Sequence, residues 1–238
     1  MAALALLVTA LIAATVAFVS TDRPPSVSPR PVDQRPTLML LTSLPIVFGE
    51  KFGLGETGSE VLDQLEARYR VKPISVADAA GLDGAKLLLA AHPNAQPAEN
   101  LVLLDKWVRG GGRLLLLADP MLEWHSERPL GDPLRPPPGF ADTGLLAHWG
   151  LRLDAPDTRG PARRTVAGHR VLVASPGRLV GRCPVDGDGL VARCAIGKGR
   201  VTIVADADFL DDRGVEGASS AGNLAWLSAE LATLEAGR

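Results

Sequence analysis

The sequence predicts a three-layer α/β sandwich on a mostly parallel sheet, with an antiparallel ribbon inserted and an apolar segment in front. Three observations point there. In Leu101–Pro120, Leu101, Leu104, Trp107 and Val108 recur at helical spacing, so one stripe of a helix faces a core. Gly110, Gly111 and Gly112 then stop that helix through a left-handed cap, and Leu114–Leu117 follows as a bare apolar run suited to a strand buried on both faces. The same run type recurs at Leu38–Leu41, Leu87–Ala90 and Val201–Ala205, and helices alternating with such strands build a parallel sheet.

In chain order, Leu38–Leu41 is the first strand, closed by Thr42-Ser43-Leu44-Pro45. A glycine-rich loop, Phe48–Gly58, leads to Ser59, which caps a helix carrying Val61, Leu62 and Leu65 towards Tyr69. Val71–Ile74 and Leu87–Ala90 are the next strands, and His92-Pro93 closes the latter. Pro97 opens the organising helix, where its missing N–H costs nothing. Pro120–Phe140 is a long loop with five further prolines, and a loop of that length in a compact domain is functional or mobile. Asp142 caps a short helix through Trp149. Beyond Leu151, hairpins around Gly168 and Asp188-Gly189 form an inserted or edge layer. Val201–Ala205 then resumes the buried type, and a helix over Gly222–Leu234 turns Leu224, Leu227 and Leu231 inward. The order reads βα-βα-βα, ribbons, then βα.

The low aromatic content of 4% leaves the core to Leu, Val, Ile and Ala. A net charge of −2 with scattered basic residues argues against nucleic acid. Ala2–Val19 has no charge, proline or glycine and spans about 27 Å as a helix, enough for a hydrocarbon core. No Lys or Arg precedes it and its best cleavage site, Thr15-Val16-Ala17, is poor, so an uncleaved anchor over residues 1–20 is preferred to a signal peptide. Residues 21–36, with five prolines, read as an extended linker, and 37–238 as the α/β domain.

A two-residue Asp188-Gly189 turn pairs Gly187 with Leu190, Val185 with Ala192 and Cys183 with Cys194. Opposed there, the cysteines are either a disulfide or two packed thiols. A disulfide implies an oxidising compartment and an extracytoplasmic domain. Arg23, Arg30 and Arg35 after the apolar run pull the other way. The extracytoplasmic side is the one expected.

The chemistry is sparse. Gly53-Leu54-Gly55-Glu56-Thr57-Gly58 matches the dinucleotide pattern, with Asp78 about twenty residues on. Yet Ser43–Phe52 separates it from its strand, so no pyrophosphate would meet a helix start. Ile196-Gly197-Lys198-Gly199 is a hairpin turn rather than a phosphate loop. Asp119, Asp206 and Asp208 fall at strand carboxyl ends, where open α/β sheets place ligands, with Glu123, Asp211 and Asp212 near. Such carboxylates either hold a hard cation or cap loop N–H groups. His92 with Thr42 and Ser43 would make a base and nucleophile, but lacks an orienting partner and a glycine-flanked elbow. No metal and no cofactor is expected.

Gly197–Leu227, GKGRVTIVADADFLDD followed by GNLAWL, resembles the end of a known domain: a glycine-flanked turn, a buried strand, an aspartate-rich end, then Asn223 opening a helix with Trp226-Leu227. Leu101–Pro120 is similar to that domain's other signature. The domain is the glutamine-amidotransferase-like one of gliding-motility ABC-transporter auxiliaries and an intraflagellar-transport subunit, a family of uncharacterised ABC-type transport system domains. The resemblance implies a flavodoxin-like sandwich without catalysis, because the enzymes set a cysteine in a strand–helix elbow and here the strands end in Thr42, His92, Asp119 and Asp206. The expected protein is a membrane-anchored, non-catalytic assembly domain, touching lipid through its first helix and ABC transporter subunits through a strand-end surface. That surface comprises Thr42, Ser43, His92, Asp119, Glu123, Asp206, Asp208 and Asn223. The alternatives are a metal-assisted hydrolase using Asp119, Asp206 and Asp208, and, by fold analogy, a glycan- or small-ligand-binding module.

Overall fold

A computed structural model of the chain describes residues 28–49, 59–211 and 221–237. The segment Ala2–Val19 read as an anchor, the Gly53–Gly58 pattern and Asp212 lie outside the described residues. Among the described residues no helix is long and apolar enough to cross a membrane.

The central strands are β1 (Thr37–Thr42), β2 (Arg70–Ile74), β3 (Leu87–Ala91), β4 (Arg113–Leu117) and β11 (Gly199–Val204), all mutually parallel. β10 (Val191–Ile196) runs antiparallel to β11, and β9 (Val185–Asp186) to β10, completing the order β2-β1-β3-β4-β11-β10-β9. Because strand side chains alternate, each apolar run feeds two cores. Leu38, Leu40, Leu89, Leu115 and Leu117 face α1 (Glu60–Glu66) and α4 (Ala221–Glu235). Met39, Leu41, Leu88, Leu114 and Leu116 face α2 (Ala98–Arg109) and α3 (Leu145–His148). The result is the expected three layers. Two separate antiparallel pairs cap them, the hairpin of β6 (Pro161–Val166) with β7 (His169–Ala174) on the first face and the ribbon of β5 (Leu151–Asp154) with the non-consecutive β8 (Arg178–Gly181) on the second.

Ser59 caps α1 as expected, its hydroxyl accepting from the Leu62 N–H at 3.2 Å. Several readings need correction. The βα repeat is broken: residues 75–86 form turns and no helix joins β2 to β3, where Asp78 holds the Gly81 N–H at 2.7 Å. Gly110 keeps a right-handed conformation, and it is Gly111, at φ +116°, that needs glycine. Asp142 is not itself the residue before the helix, yet its carboxylate accepts the Leu146 N–H of the first turn at 3.5 Å. Its carboxylate takes the Gly144 N–H, and α3 starts after Gly144 at φ +98°. Residues 28–36 do not stand off as a spacer. The Arg30 N–H donates to Ala67 O at 2.9 Å, and the Arg30 guanidinium meets the Glu235 carboxylate at 2.9 Å.

The cysteine hairpin forms the far edge of the main sheet, with Val185 opposite Ala192 and Cys183 bonded to Cys194 at a Cα separation of 5.1 Å. Cys194 is buried in the second core.

Candidate functional site: the strand-end crest

Strands in parallel register end together, so the residues after β1, β3, β4 and β11 form one crest. Asp119, Asp206 and Asp208 meet there, each offering an oxygen within 4.8 Å of the others, and all three are buried. All but one of their oxygens, Asp208 Oδ1, are committed to backbone N–H groups. Asp119 accepts from the N–H groups of Met121 and Ala207, both at 2.8 Å. Asp206 accepts from Ala174 at 3.0 Å and Phe209 at 2.9 Å. Asp208 Oδ2 accepts from Glu123 at 2.8 Å, while its Oδ1 is buried without a hydrogen-bond partner. The ends of β4 and β11, the β7 hairpin and the start of the proline loop are thereby pinned to one acidic knot.

Burial is the largest influence on all three carboxyls and raises them, because a desolvated charge is costly. Asp119 is pushed up to about 6 and Asp208 to about 8, the latter also by the charges of Asp119 and Glu123. Asp206, enclosed and facing Asp119 and Asp208, is held well above the ordinary carboxylate range.

His92 ends β3 with φ +46°, a left-handed conformation uncommon outside glycine. Its ring is fully buried, with Nε2 at 2.9 Å from Pro137 O and Nδ1 unpartnered. Burial lowers its pKa, opposed by the Pro137 contact, so the neutral ring donates to that carbonyl. The Ser43 hydroxyl donates to the backbone carbonyl of His92 at 2.5 Å and not to the ring, so no base–nucleophile pair exists there. Thr42 donates to Ala91 O at 2.9 Å and accepts from the Leu44 N–H. Asn223 is also buried. It accepts from Leu172 N–H at 2.9 Å and donates to Leu172 O and Phe209 O, tying α4 to β7 and to the turn at Asp208–Leu210.

Of the eight side chains read as a binding surface, His92, Asp119, Asp206, Asp208 and Asn223 are thus interior. Only Glu123 is exposed, with Thr42 and Ser43 half-buried. The surface is made instead by what they hold. Pro120–Phe140 is tied at its base by Leu122 N–H to Pro138 O and Phe140 N–H to Asp119 O, and it presents Leu130 and Leu134 at 88% and 63% exposure. Beside it, a groove of about 590 Å³ is lined by Thr42, Ser43, Phe48, Ser75, Asn94 and Leu134. Sequence reading missed Ser175, buried at φ +46°, whose hydroxyl accepts from Gly160 N–H and donates to Glu123 Oε1 at 2.5 Å. Its one signal was the Ser175-Pro176-Gly177 turn.

Fold and crest together define a doubly wound α/β domain whose strand-end carboxylates grip its own loops. The chain belongs to the family described as an ABC-type uncharacterized transport system, whose model matches residues 15–157. No curated protein matches the sequence. Among solved structures it is similar to the mmIFT52 N-terminal domain, at 12% identity and a TM-score of 0.56 over 83% of this chain and 97% of that one. It is similar as well to Cytoplasmic Protein STM1381 from Salmonella typhimurium LT2, at 14% identity and a TM-score of 0.51 over 83% and 98%. An exo-beta-1,4-mannosidase from Opitutaceae bacterium strain TAV5 matches at 13% identity and a TM-score of 0.45, and the chain spans 35% of its length. At these identities the likeness is one of fold.

Proposed function

We propose that the protein is a membrane-anchored, non-catalytic assembly domain of an ABC-type transport system that engages a partner subunit through its crest. The observation that carries this is the commitment of the acidic knot. Its carboxylates are spent on loop N–H groups, and the loop they hold exposes Leu130 and Leu134 beside an exposed Phe48. A preorganised apolar loop on a rigid scaffold binds without a large ordering cost. The family supplies the transport context.

The five parallel strands, in the order second-first-third-fourth-fifth, support a flavodoxin-like sheet. Together with the mmIFT52 likeness in fold they favour the glutamine-amidotransferase-like reading. The loss of catalysis is supported by strand ends that offer threonine, histidine and aspartate, while both cysteines sit in a remote disulfide. That disulfide favours the extracytoplasmic side. Against a metal-assisted hydrolase stands the burial of Asp119, Asp206 and Asp208, which face backbone and not substrate.

The test is co-purification of the full chain from detergent-solubilised membranes with the ATPase or permease subunit. Recovery falls several-fold for Phe48→Asp with Leu134→Asp, and is unchanged for Val102→Asp, an exposed site on α2 away from the loop. Equal recovery by all three proteins, or no transporter subunit with the wild type, refutes the reading.

A further inference from the structure

The pole opposite the crest carries the second surface. Parallel strands that end together also begin together. The register places Thr37 beside Arg70, Leu38 beside Leu87, and Arg113 beside both Leu87 and Arg200. Lys86 immediately precedes its strand, Lys198 lies in the β10–β11 turn, and Lys106 is in the last turn of α2, whose end meets that turn through Lys198 N–H to Arg109 O. Among the described residues Arg70, Lys86, Lys106, Lys198 and Arg200 are exposed and in no ion pair. The acidic residues of the same pole are Asp33, Glu66, Asp83, Asp105 and Glu235. Asp105 and Glu235 are already held by Arg109 and Arg30, at 2.8 and 2.9 Å. A basic face therefore lies at the strand starts of a chain whose net charge is −2.

The chain also enters on the basic face. Ser28 O accepts from the Arg68 guanidinium at 2.7 Å, and Arg30 is pinned to Ala67 and Glu235. Only residues 20–27 separate Ser28 from the apolar run ending at Val19. Eight residues reach at most about 29 Å when fully extended. A basic face on so short a leash stays close to the bilayer that holds the run, and Lys and Arg beside an anionic leaflet are drawn to it within a Debye length.

We propose that this face, centred on Arg70, Lys86, Lys106, Lys198 and Arg200, docks on the anionic lipid headgroups of the membrane, so that the crest points away from the bilayer towards its partner. The proposal rests on the anchored reading above. The first arm of the test compares full chain on vesicles of phosphatidylcholine alone with full chain on vesicles containing about a third phosphatidylglycerol. Amine-reactive labelling of Lys86, Lys106 and Lys198, read by peptide mass spectrometry, falls roughly threefold on the anionic vesicles and recovers in about 0.5 M salt, where screening shortens to a few ångström. Arg70→Glu with Arg200→Glu abolishes the fall. Equal labelling on both vesicles overturns the proposal.

Flotation separates the two readings. A chain that floats with phosphatidylcholine in high salt is anchored, and its lysine labelling then decides the face. A chain that floats only with anionic vesicles and is released by salt has the docking face and no anchor. A chain that floats with neither refutes both.

Discussion

Asp208 Oδ2 accepts the Glu123 N–H at 2.8 Å across 85 positions of sequence, fastening the start of the proline loop to the turn after β11. The bond sits in a knot of three carboxyls whose folded-state pKa values lie above their unfolded ones. The knot's contribution to stability is complete below the unfolded value near 4 and is lost as pH rises through about 6 for Asp119 and about 8 for Asp208. The melting temperature is expected to fall between pH 5 and pH 9. Asp208→Asn keeps a carbonyl acceptor but cannot ionise, so it should match wild type near pH 5 and exceed it by about 2 kcal/mol near pH 9. Parallel melting curves for the two proteins at every pH would show that Asp208 does not titrate in this range.

His92 acts at the other end of the scale. Burial keeps its folded-state pKa below the ordinary value, so the folded protein stays neutral there while the unfolded chain takes up a proton. Stability is therefore lost as pH falls below about 6.5. His92→Gln retains a donor towards Pro137 O and should remove this acid limb, read as the slope of melting temperature between pH 6.5 and 4.5.

Asn223 makes three bonds that no smaller side chain can replace. Asn223→Ala leaves the buried Phe209 carbonyl and the Leu172 groups unpaired, at a cost of about 2–4 kcal/mol in chemical denaturation. Asn223→Asp keeps only the acceptor and should lose nearly as much.

Gly199 lies tight against the end of α2 and the turn that follows it. A Cβ there would lie 2.1 Å from Val108 O and 2.4 Å from Gly112 O, both backbone atoms that cannot swing aside. Gly199→Ala is expected to destabilise the fold by about 3 kcal/mol or more. Gly49→Ala, where no atom lies within 4 Å, should be near neutral.

The Cys183–Cys194 bond closes a short loop, with a sequence separation of 11. Reduction, or Cys183→Ala with Cys194→Ala, should cost about 2–3 kcal/mol by the loop-entropy argument. The loss should appear as a lower melting temperature of the wild type with dithiothreitol, whereas the double variant should already melt lower and not respond to the reductant.

Local chemistry was legible in the sequence wherever one segment decides its own state. The strands at Leu38–Leu41, Leu87–Ala90, Leu114–Leu117 and Val201–Ala205 are apolar on both faces, and such a run has nowhere to lie but between two layers. Ser59 and the Asp188-Gly189 turn are likewise decided within a few residues. Val71–Ile74 and Leu87–Ala90 read as successive strands with no helix between them, and residues 75–86 do form turns, so it is only the summary βα order that fails there. The residues of the crest could be named, since aspartates at strand ends stand where ligands bind. Their role could not. Whether a carboxylate faces solvent or a backbone N–H is set by loops arriving from 85 and 88 positions away, as Glu123 reaches Asp208 and Ala207 reaches Asp119. The basic pole follows the same logic, for Arg70, Arg113 and Arg200 are scattered in sequence and neighbours only in register. Hydrophobic pattern by itself determined the layers of this protein. Which polar groups are buried, and which share a face, was decided by tertiary structure, because charges act through space while periodicity acts along the chain.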